Sequence, residues 1–130
     1  MAGSGRYLYK GYRMDSSFEV RFAANCDRLG ISWQLYDRAL HGVLEVEIEG
    51  EIVRYAPDFM VGPYPVEVKG IFDQLAATKV AAWREQRGQL AMVMKWELLD
   101  FEEARDSHDA MSTLLAACYL VPPTDAAYWE

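Results

Sequence analysis

The chain has 130 residues, of which 52% are hydrophobic and 25% are charged, and its formal net charge is −7. A chain of this length buries roughly two thirds of the surface that its unfolded form exposes, so a single small domain can fold without disulfides. No apolar run approaches the roughly 20 residues of a membrane span, and the opening Met-Ala-Gly-Ser-Gly lacks the apolar centre of a signal peptide. The sequence therefore predicts a cytoplasmic domain without a membrane partner, in which Cys26 and Cys118 are reduced packing thiols.

The negative charge is confined to one end of the chain. Residues 1–96 contain 12 Lys and Arg against 12 Asp and Glu, whereas residues 97–130 contain one Arg against eight acids, which accounts for the whole excess. This division predicts three parts: a basic N-terminal arm over residues 1–14, a core over residues 15–96, and an acidic helix and tail over residues 97–130.

The predicted elements of the core begin with a helix. Ser16 and Glu19 have the spacing of a capping box, and Gly30 supplies the C-terminal stop. Alternating apolar and polar residues then predict a strand over 31–35 and a hairpin of strands 44–48 and 51–55 with one acidic face. A further strand is predicted over 65–69. A helix over 73–87, an apolar strand over 90–94 and a last helix over 107–119 complete the chain. The strand over 90–94 completes an α-β-β-β-α-β order of the core.

The segment from Tyr55 to Gly70 contains the most informative motif. Glu67 and Lys69 are two apart on a predicted strand, so they project from the same face while Val66 and Val68 pack the opposite one. A turn over residues 61–64 can fold a strand ending at Asp58 back against this strand and bring the two carboxylates together. Two carboxylates and a lysine at strand ends suit a hard divalent cation and an activated water, which is hydrolytic chemistry on phosphate.

Pro57-Asp58 followed by Glu67-Val68-Lys69 resembles the PD-(D/E)xK nuclease signature, and Glu19 on the upstream helix supplies a third acid. Over residues 13–95 the order of these pieces is similar to phage endonuclease I type Holliday-junction resolvases, and more distantly to transposon-end nuclease subunits. The resemblance implies an α/β, restriction-endonuclease-like core with a mixed central sheet and an extra C-terminal helix. It also implies a metal-dependent endonuclease for branched DNA, phage-encoded and located in the host cytoplasm or the virion.

The resemblance further implies roles for individual residues. The catalytic set is Glu19, Asp58, Glu67 and Lys69. One or two Mg²⁺ or Mn²⁺ ions would be held by Asp58, Glu67 and the backbone carbonyl of Val68, with Glu19 on a second ion or acting through a water. Lys69 would orient the attacking water or offset developing charge. The predicted DNA-binding residues are Lys10, Arg13, Lys79 and Arg84. Trp83, beside Arg84, is expected to pack in the core or to stack on an unpaired base.

Each site residue also has a simpler interpretation. Glu19 could be only the capping partner of Ser16, Asp58 a turn acid, and Glu67 with Lys69 a solvated surface pair. However, Asp58 has apolar neighbours in sequence, where an unpaired carboxylate is costly. Taken together and in this order, the four residues favour a catalytic site.

The remaining predictions concern partners. Residues 37–54 occupy the position of the bridge that joins two resolvase subunits, which predicts a homodimer; closure into a hairpin within one chain is the alternative. The acidic C-terminal part departs from the basic extension of the resolvases. It would weaken DNA binding or dock a phage protein partner, and neutralising Glu102, Glu103, Asp106 and Asp109 is expected to tighten DNA binding with little loss of fold. The alternative function is a nuclease-fold virion or head-completion protein with weak or no catalysis.

Overall fold

The computed structural model describes residues 6–124 and 126–127. Its first element is a hairpin of two antiparallel strands, β1 (Tyr7–Tyr9) and β2 (Tyr12–Met14). The connecting residues Lys10 and Gly11 both have positive φ, which is the geometry of a type I′ turn. Residues 7–14 of the predicted basic arm, which spans 1–14, therefore form a hairpin, and residues 1–5 lie outside the described residues. The sequence did not predict the hairpin because a non-glycine residue rarely adopts the left-handed conformation of Lys10.

A four-stranded mixed sheet forms the centre of the molecule. Its strands, in spatial order, are β3 (Gln34–Leu35), β6 (Phe59–Val61), β7 (Tyr64–Val68) and β9 (Ala91–Val93). Strand β7 pairs antiparallel with β6 and parallel with β9. The predicted α/β class with a mixed central sheet is confirmed. The strand over 31–35 is shorter than predicted and comprises only Gln34–Leu35.

Two smaller sheets flank the central one. Strands β4 (Leu44–Ile48) and β5 (Glu51–Tyr55) form the predicted hairpin, which closes within one chain, and Glu45 and Glu47 lie on its exposed face. Strand β8 (Ile71–Phe72) pairs antiparallel with β10 (Ala126–Ala127). A single-turn helix, α2 (Arg38–His41), which was not predicted, precedes the hairpin and is capped by the side chain of Asp37.

Four longer helices pack on the sheet: α1 (Ser17–Arg28), α3 (Gln74–Gln86), α4 (Lys95–Glu103) and α5 (Ser107–Ala117). Three of them were predicted to within a few residues, and Gly30 and Gly88 follow α1 and α3 with positive φ as expected of helix stops. Helix α4 was missed, because its N-cap is Met94 rather than Ser, Thr, Asp or Asn. Among the described residues, no helix is long and apolar enough to cross a membrane.

The core consists of two apolar clusters, one on each face of the sheet. Val66 and Val68 contribute to the first cluster, together with residues of α1, α4 and α5. The second cluster, which includes Met92, lies under α3 and the β4–β5 hairpin. Leu98, Phe101 and Leu114 are fully buried in the first cluster, so residues of the acidic C-terminal part share an apolar core with residues 15–96. Both cysteines are buried and free, as predicted.

Candidate active site

Asp58 is held at the edge of the central sheet by its own backbone and side chain. Its N–H donates to the Val66 carbonyl at 3.0 Å, and its carbonyl accepts from the Tyr36 N–H at 3.0 Å. Its carboxylate Oδ2 accepts a 2.8 Å hydrogen bond from the Val68 N–H. The sequence predicted a strand that ends at Asp58. In the structure Asp58 instead comes immediately before strand β6, so the predicted hairpin is corrected in this respect. The physical reason is Pro57, which has no N–H to donate and separates β5 from β6.

Glu67 lies opposite Asp58 on β7, with its side chain on the face of the second cluster. Only 5% of Glu67 is exposed. Its Oε1 accepts a 3.0 Å hydrogen bond from the Tyr55 hydroxyl, and its Oε2 is 3.6 Å from Nζ of Lys69. The predicted arrangement of Glu67 and Lys69 on one face, with Val66 and Val68 on the other, is confirmed. The interpretation of this pair as a solvated surface pair is wrong, because Glu67 is buried.

Glu19 approaches the same edge from the first turn of α1. It has the predicted capping geometry, since its N–H donates to Oγ of Ser16 and that hydroxyl donates to Oε2 of Glu19, both at 3.2 Å. The side chain is also 7% exposed and interacts electrostatically with Asp58, Glu67 and Lys69. The capping role and the proximity to the other acids therefore coexist.

The site carries an excess of negative charge in a poorly solvated place. Burial raises the pKa of Glu67 to about 7, although Lys69 and the Tyr55 hydroxyl act in the opposite direction. Burial and then the charges of Glu67 and Glu19 raise the pKa of Asp58. Burial, followed by repulsion from Asp15, raises the pKa of Glu19. A cation placed among these groups would relieve the repulsion and favour their ionised forms.

The oxygen ligands available here suit a metal ion that keeps several of its waters better than one that is enclosed entirely by protein groups. Among the described residues, no group of three or more His, Cys, Asp or Glu side chains is arranged to hold a metal ion. Mg²⁺ commonly needs only one or two carboxylates, with waters and substrate phosphate completing its shell. Asp58, Glu67 and the Val68 carbonyl can supply that set, and Glu19 can act through a water. Glu67 and Val68 are the last two residues of β7, so this set is at the carboxyl ends of parallel strands β7 and β9, where open α/β sheets bind ligands.

The predicted DNA-binding residues have different environments. Arg13 is exposed on β2, and Lys79 is partly exposed on α3. Lys10 is exposed but forms an ion pair of 2.9 Å with Asp27. Arg84 is instead turned into the protein. Its guanidinium nitrogens donate to backbone carbonyls of Leu90, Ala117 and Leu120, so it holds β9 and the end of α5 to α3 and is not available as a phosphate contact.

Two aromatic residues stand close to the site: Trp83 packs in the core, which is one of its two predicted roles, and Tyr55 contacts Glu67. Trp83 is only 3% exposed and packs edge-on against the rings of Tyr36 and Tyr55, so it belongs to the core and cannot stack on a base. Tyr55, the hydrogen-bond donor to Glu67, was not predicted as a site residue. The sequence places it three residues before Asp58, but nothing local indicates that its hydroxyl reaches Glu67 on β7.

Comparisons with protein-family models, with curated proteins and with solved structures found no match to this chain. The function proposed below is therefore supported by the motif and by the contacts of Glu19, Asp58, Glu67 and Lys69.

Proposed function

We propose that the protein is a Mg²⁺- or Mn²⁺-dependent DNA endonuclease that hydrolyses phosphodiester bonds in branched or structured DNA. The observation that carries the proposal is the convergence of Asp58, Glu67 and Lys69 at one edge of the sheet, with both carboxylates buried enough to raise their pKa. The proposal includes a restriction-endonuclease-like core, which the hairpin β6–β7, helix α3 and the parallel strand β9 support by their order.

The carboxylates of Asp58 and Glu67 and the Val68 carbonyl would hold the metal ion. A bound Mg²⁺ would lower the pKa of a coordinated water and stabilise charge on the scissile phosphate. Asp58 is oriented for this role by the Val68 N–H on Oδ2, which leaves its other oxygen for a ligand. Glu67 is oriented by Tyr55 on Oε1, which leaves Oε2 facing Lys69.

Lys69 would act on the nucleophile and the phosphate. Its ammonium lies 3.6 Å from Glu67 Oε2 and its side chain is 39% exposed, so it can reach both the buried carboxylate and an incoming substrate. In this position it would donate a hydrogen bond to the attacking water and offset negative charge as the bond to the leaving oxygen breaks. Glu19 would accept a hydrogen bond from a second metal-bound water.

The charge of residues 1–96 with metal bound would attract DNA to this site. Residues 1–96 carry 12 basic and 12 acidic residues, and neutralisation of Glu19, Asp58 and Glu67 by metal would leave about +3, a mild attraction for phosphate. Arg13 and Lys79 are the retained DNA contacts, with Lys10 able to exchange Asp27 for phosphate. A homodimer is not required to complete the site, because one chain supplies all four catalytic residues.

The test is cleavage of a supercoiled plasmid and of a synthetic four-way junction in Mg²⁺, Mn²⁺ or EDTA. Wild-type protein should nick the DNA with either metal and stop in EDTA. Asp58→Asn, purified identically, should lose activity while keeping the acceptor for the Val68 N–H. Glu85→Gln, an exposed acid on α3, is the matched control and should cut normally.

Two outcomes would overturn the proposal. If wild-type protein cuts none of the plasmid, junction, linear and single-stranded substrates with either metal, the nuclease-fold assembly protein becomes the better hypothesis. If Asp58→Asn cuts as well as wild type, the activity does not come from this site.

A further inference from the structure

Of the tryptophans in the described residues, Trp96 alone is exposed. It has 59% of its surface accessible, whereas Trp83 is buried and Trp33 is partly covered. Trp96 is the second residue of α4, and its neighbours Met94 and Leu98 are fixed in the core with 1% and 0% exposure. The indole is therefore presented to solvent from a firmly anchored turn of helix.

The position of this turn relates Trp96 to the candidate active site. The Lys69 N–H donates to the Val93 carbonyl at 3.0 Å, where the parallel strands β7 and β9 end together. Trp96 follows Val93 by three residues, so its Cα lies within roughly 11 Å of that of Val93. The backbone of Lys69 and the start of α4 therefore lie at the same end of the sheet.

Lys95 adds a cation to the indole. Its Nζ lies 5.5 Å from the Trp96 ring centroid, within the range of a cation–π contact. An exposed aromatic face beside lysines is the combination that single-stranded nucleic acids bind, since bases stack on the ring and phosphates pair with the cations. We call Lys95 and Trp96 the stacking platform.

We propose that the stacking platform binds an unpaired base of the DNA strand whose phosphate lies at Lys69. This inference rests on the proposed nuclease function and specifies its substrate class. A base that is already unstacked can reach the indole without breaking a pair, whereas a base within a continuous duplex must first be extruded at a cost of a few kcal/mol. The enzyme would therefore favour flaps, forks and junctions that contain unpaired nucleotides over intact duplex.

Binding can be measured without cleavage by fluorescence anisotropy of a labelled oligothymidine in EDTA. Trp96→Ala should weaken single-strand binding roughly 5- to 100-fold, the range of one lost base stack. Trp96→Phe should retain most of the affinity because it keeps an aromatic face. Tyr119→Ala is the matched control, since Tyr119 is 78% exposed and lies beyond the end of α5; it should bind as wild type. Affinity for a blunt duplex should change little in all three variants.

The outcomes separate the platform from the nuclease function. If Trp96→Ala binds oligothymidine as tightly as wild type, or if wild type does not bind it, the platform is wrong, whatever the cleavage assay shows. If Trp96→Ala loses single-strand affinity while wild type cuts no DNA, the platform stands as a binding site and the proposed hydrolysis fails. Far-ultraviolet circular dichroism and the melting temperature of each variant show whether lost binding reflects lost fold.

Discussion

The hydroxyl of Tyr55 donates a 3.0 Å hydrogen bond to Oε1 of Glu67. This bond joins the last residue of the β4–β5 hairpin to the carboxylate at the centre of the candidate site. Tyr55 is 6% exposed and its ring packs edge-on against Trp83, so the donor is fixed by the second apolar cluster. The Tyr55 hydroxyl therefore links the acidic hairpin to the candidate site, and the charged side chains of the hairpin are not part of this contact.

Tyr55→Phe should impair catalysis without unfolding the protein. Because the hydroxyl lowers the pKa of Glu67, its loss should raise that pKa, and the rise of cleavage rate with pH should move to higher pH. Metal affinity or rate at pH 7 should fall about 10- to 100-fold, as when the hydrogen-bond partner of a metal ligand is removed. Cleavage rates from pH 6 to pH 9 would measure both effects.

Tyr36→Phe is the control for this substitution. Tyr36 packs against the same Trp83 ring, but its hydroxyl donates to the Gly42 carbonyl at 2.7 Å. It should lose some stability and keep the wild-type pH profile. An equal shift of the profile in both variants would show that the effect arises from aromatic packing and not from Glu67.

Glu67→Gln should stabilise the fold while abolishing cleavage. The pKa of Glu67 is raised from 4.5 to about 7, so between these pH values the folded state retains a proton that the unfolded state has lost. The free energy of unfolding should therefore fall as pH rises from about 4.5 to about 7 and then level off. At about 1.4 kcal/mol for each pKa unit, the cost is on the order of 3 kcal/mol above pH 7, and the neutral glutamine avoids it.

Urea unfolding of wild type and Glu67→Gln in EDTA would test this. The two proteins should differ little near pH 4.5 and most above pH 7, whereas Glu85→Gln, on the exposed surface of α3, should follow wild type throughout. Added Mn²⁺ should stabilise wild type more than Glu67→Gln, since binding to the folded state alone raises stability. A variant that is less stable than wild type at pH 8 would contradict the raised pKa.

The sequence predicted the proximity of Asp58, Glu67 and Lys69 because this geometry is short-range. Glu67 and Lys69 share a face through the two-residue period of a strand, and Asp58 is brought opposite them by a turn of a few residues. The partners of Tyr55 and Arg84 could not be predicted in the same way, because each depends on elements distant in sequence. Arg84 is bound by carbonyls of residues 90, 117 and 120, which meet only in the folded chain.

Lys69→Ala should abolish cleavage and leave metal binding largely intact. In the proposed mechanism the lysine acts on the water and on developing charge and is not a metal ligand, so the rate should fall about 10²- to 10³-fold. Because Lys69 also lowers the pKa of Glu67, its removal should raise that pKa, and the two proteins should be compared over a series of pH values above 7. Calorimetric titration with Mn²⁺ would measure the retained binding.

Lys79→Ala provides the comparison, since it removes a partly exposed lysine of α3 outside the catalytic set. It should weaken DNA binding modestly and leave the rate at saturating DNA unchanged. Normal cleavage by Lys69→Ala would show that Lys69 is misassigned.

Arg84→Ala should destabilise the fold and leave DNA affinity unchanged where the protein remains folded. The guanidinium donates to three backbone carbonyls, and hydrogen bonds from charged groups contribute about 1.5 to 3 kcal/mol each. Because Arg84 is only partly buried and water can reach some of these carbonyls in the variant, the loss should be smaller than the sum of the three bonds, about 2 to 4 kcal/mol by urea unfolding. Arg38→Ala, which removes an exposed arginine of α2, should change stability by less than about 0.5 kcal/mol. Weaker DNA binding by Arg84→Ala without lower stability would restore its role as a phosphate contact.

The acidic C-terminal part requires a narrower test than the sequence suggested. Glu102 forms a two-pronged ion pair with Arg21, so neutralising it removes a contact between α1 and α4 as well as a charge. The Asp106 side chain caps α5, a role that asparagine can also fill. Asp100 and Glu103 are exposed on α4 and can be changed more safely. Asp100 lies four residues after Trp96, on the same side of the helix.

Asp100→Asn should therefore tighten oligothymidine binding, and more at low salt, because the Debye length grows from about 8 Å at 0.15 M to about 30 Å at 0.01 M. Glu103→Gln removes the same charge from the far end of α4, two turns from Trp96, and should have a smaller effect. Anisotropy titrations of both variants across that salt range would compare them. Equal affinities for Asp100→Asn and wild type at every salt concentration would mean that DNA does not pass over this face of α4. The acidic surface would then fit the docking of a protein partner better than the restraint of DNA binding.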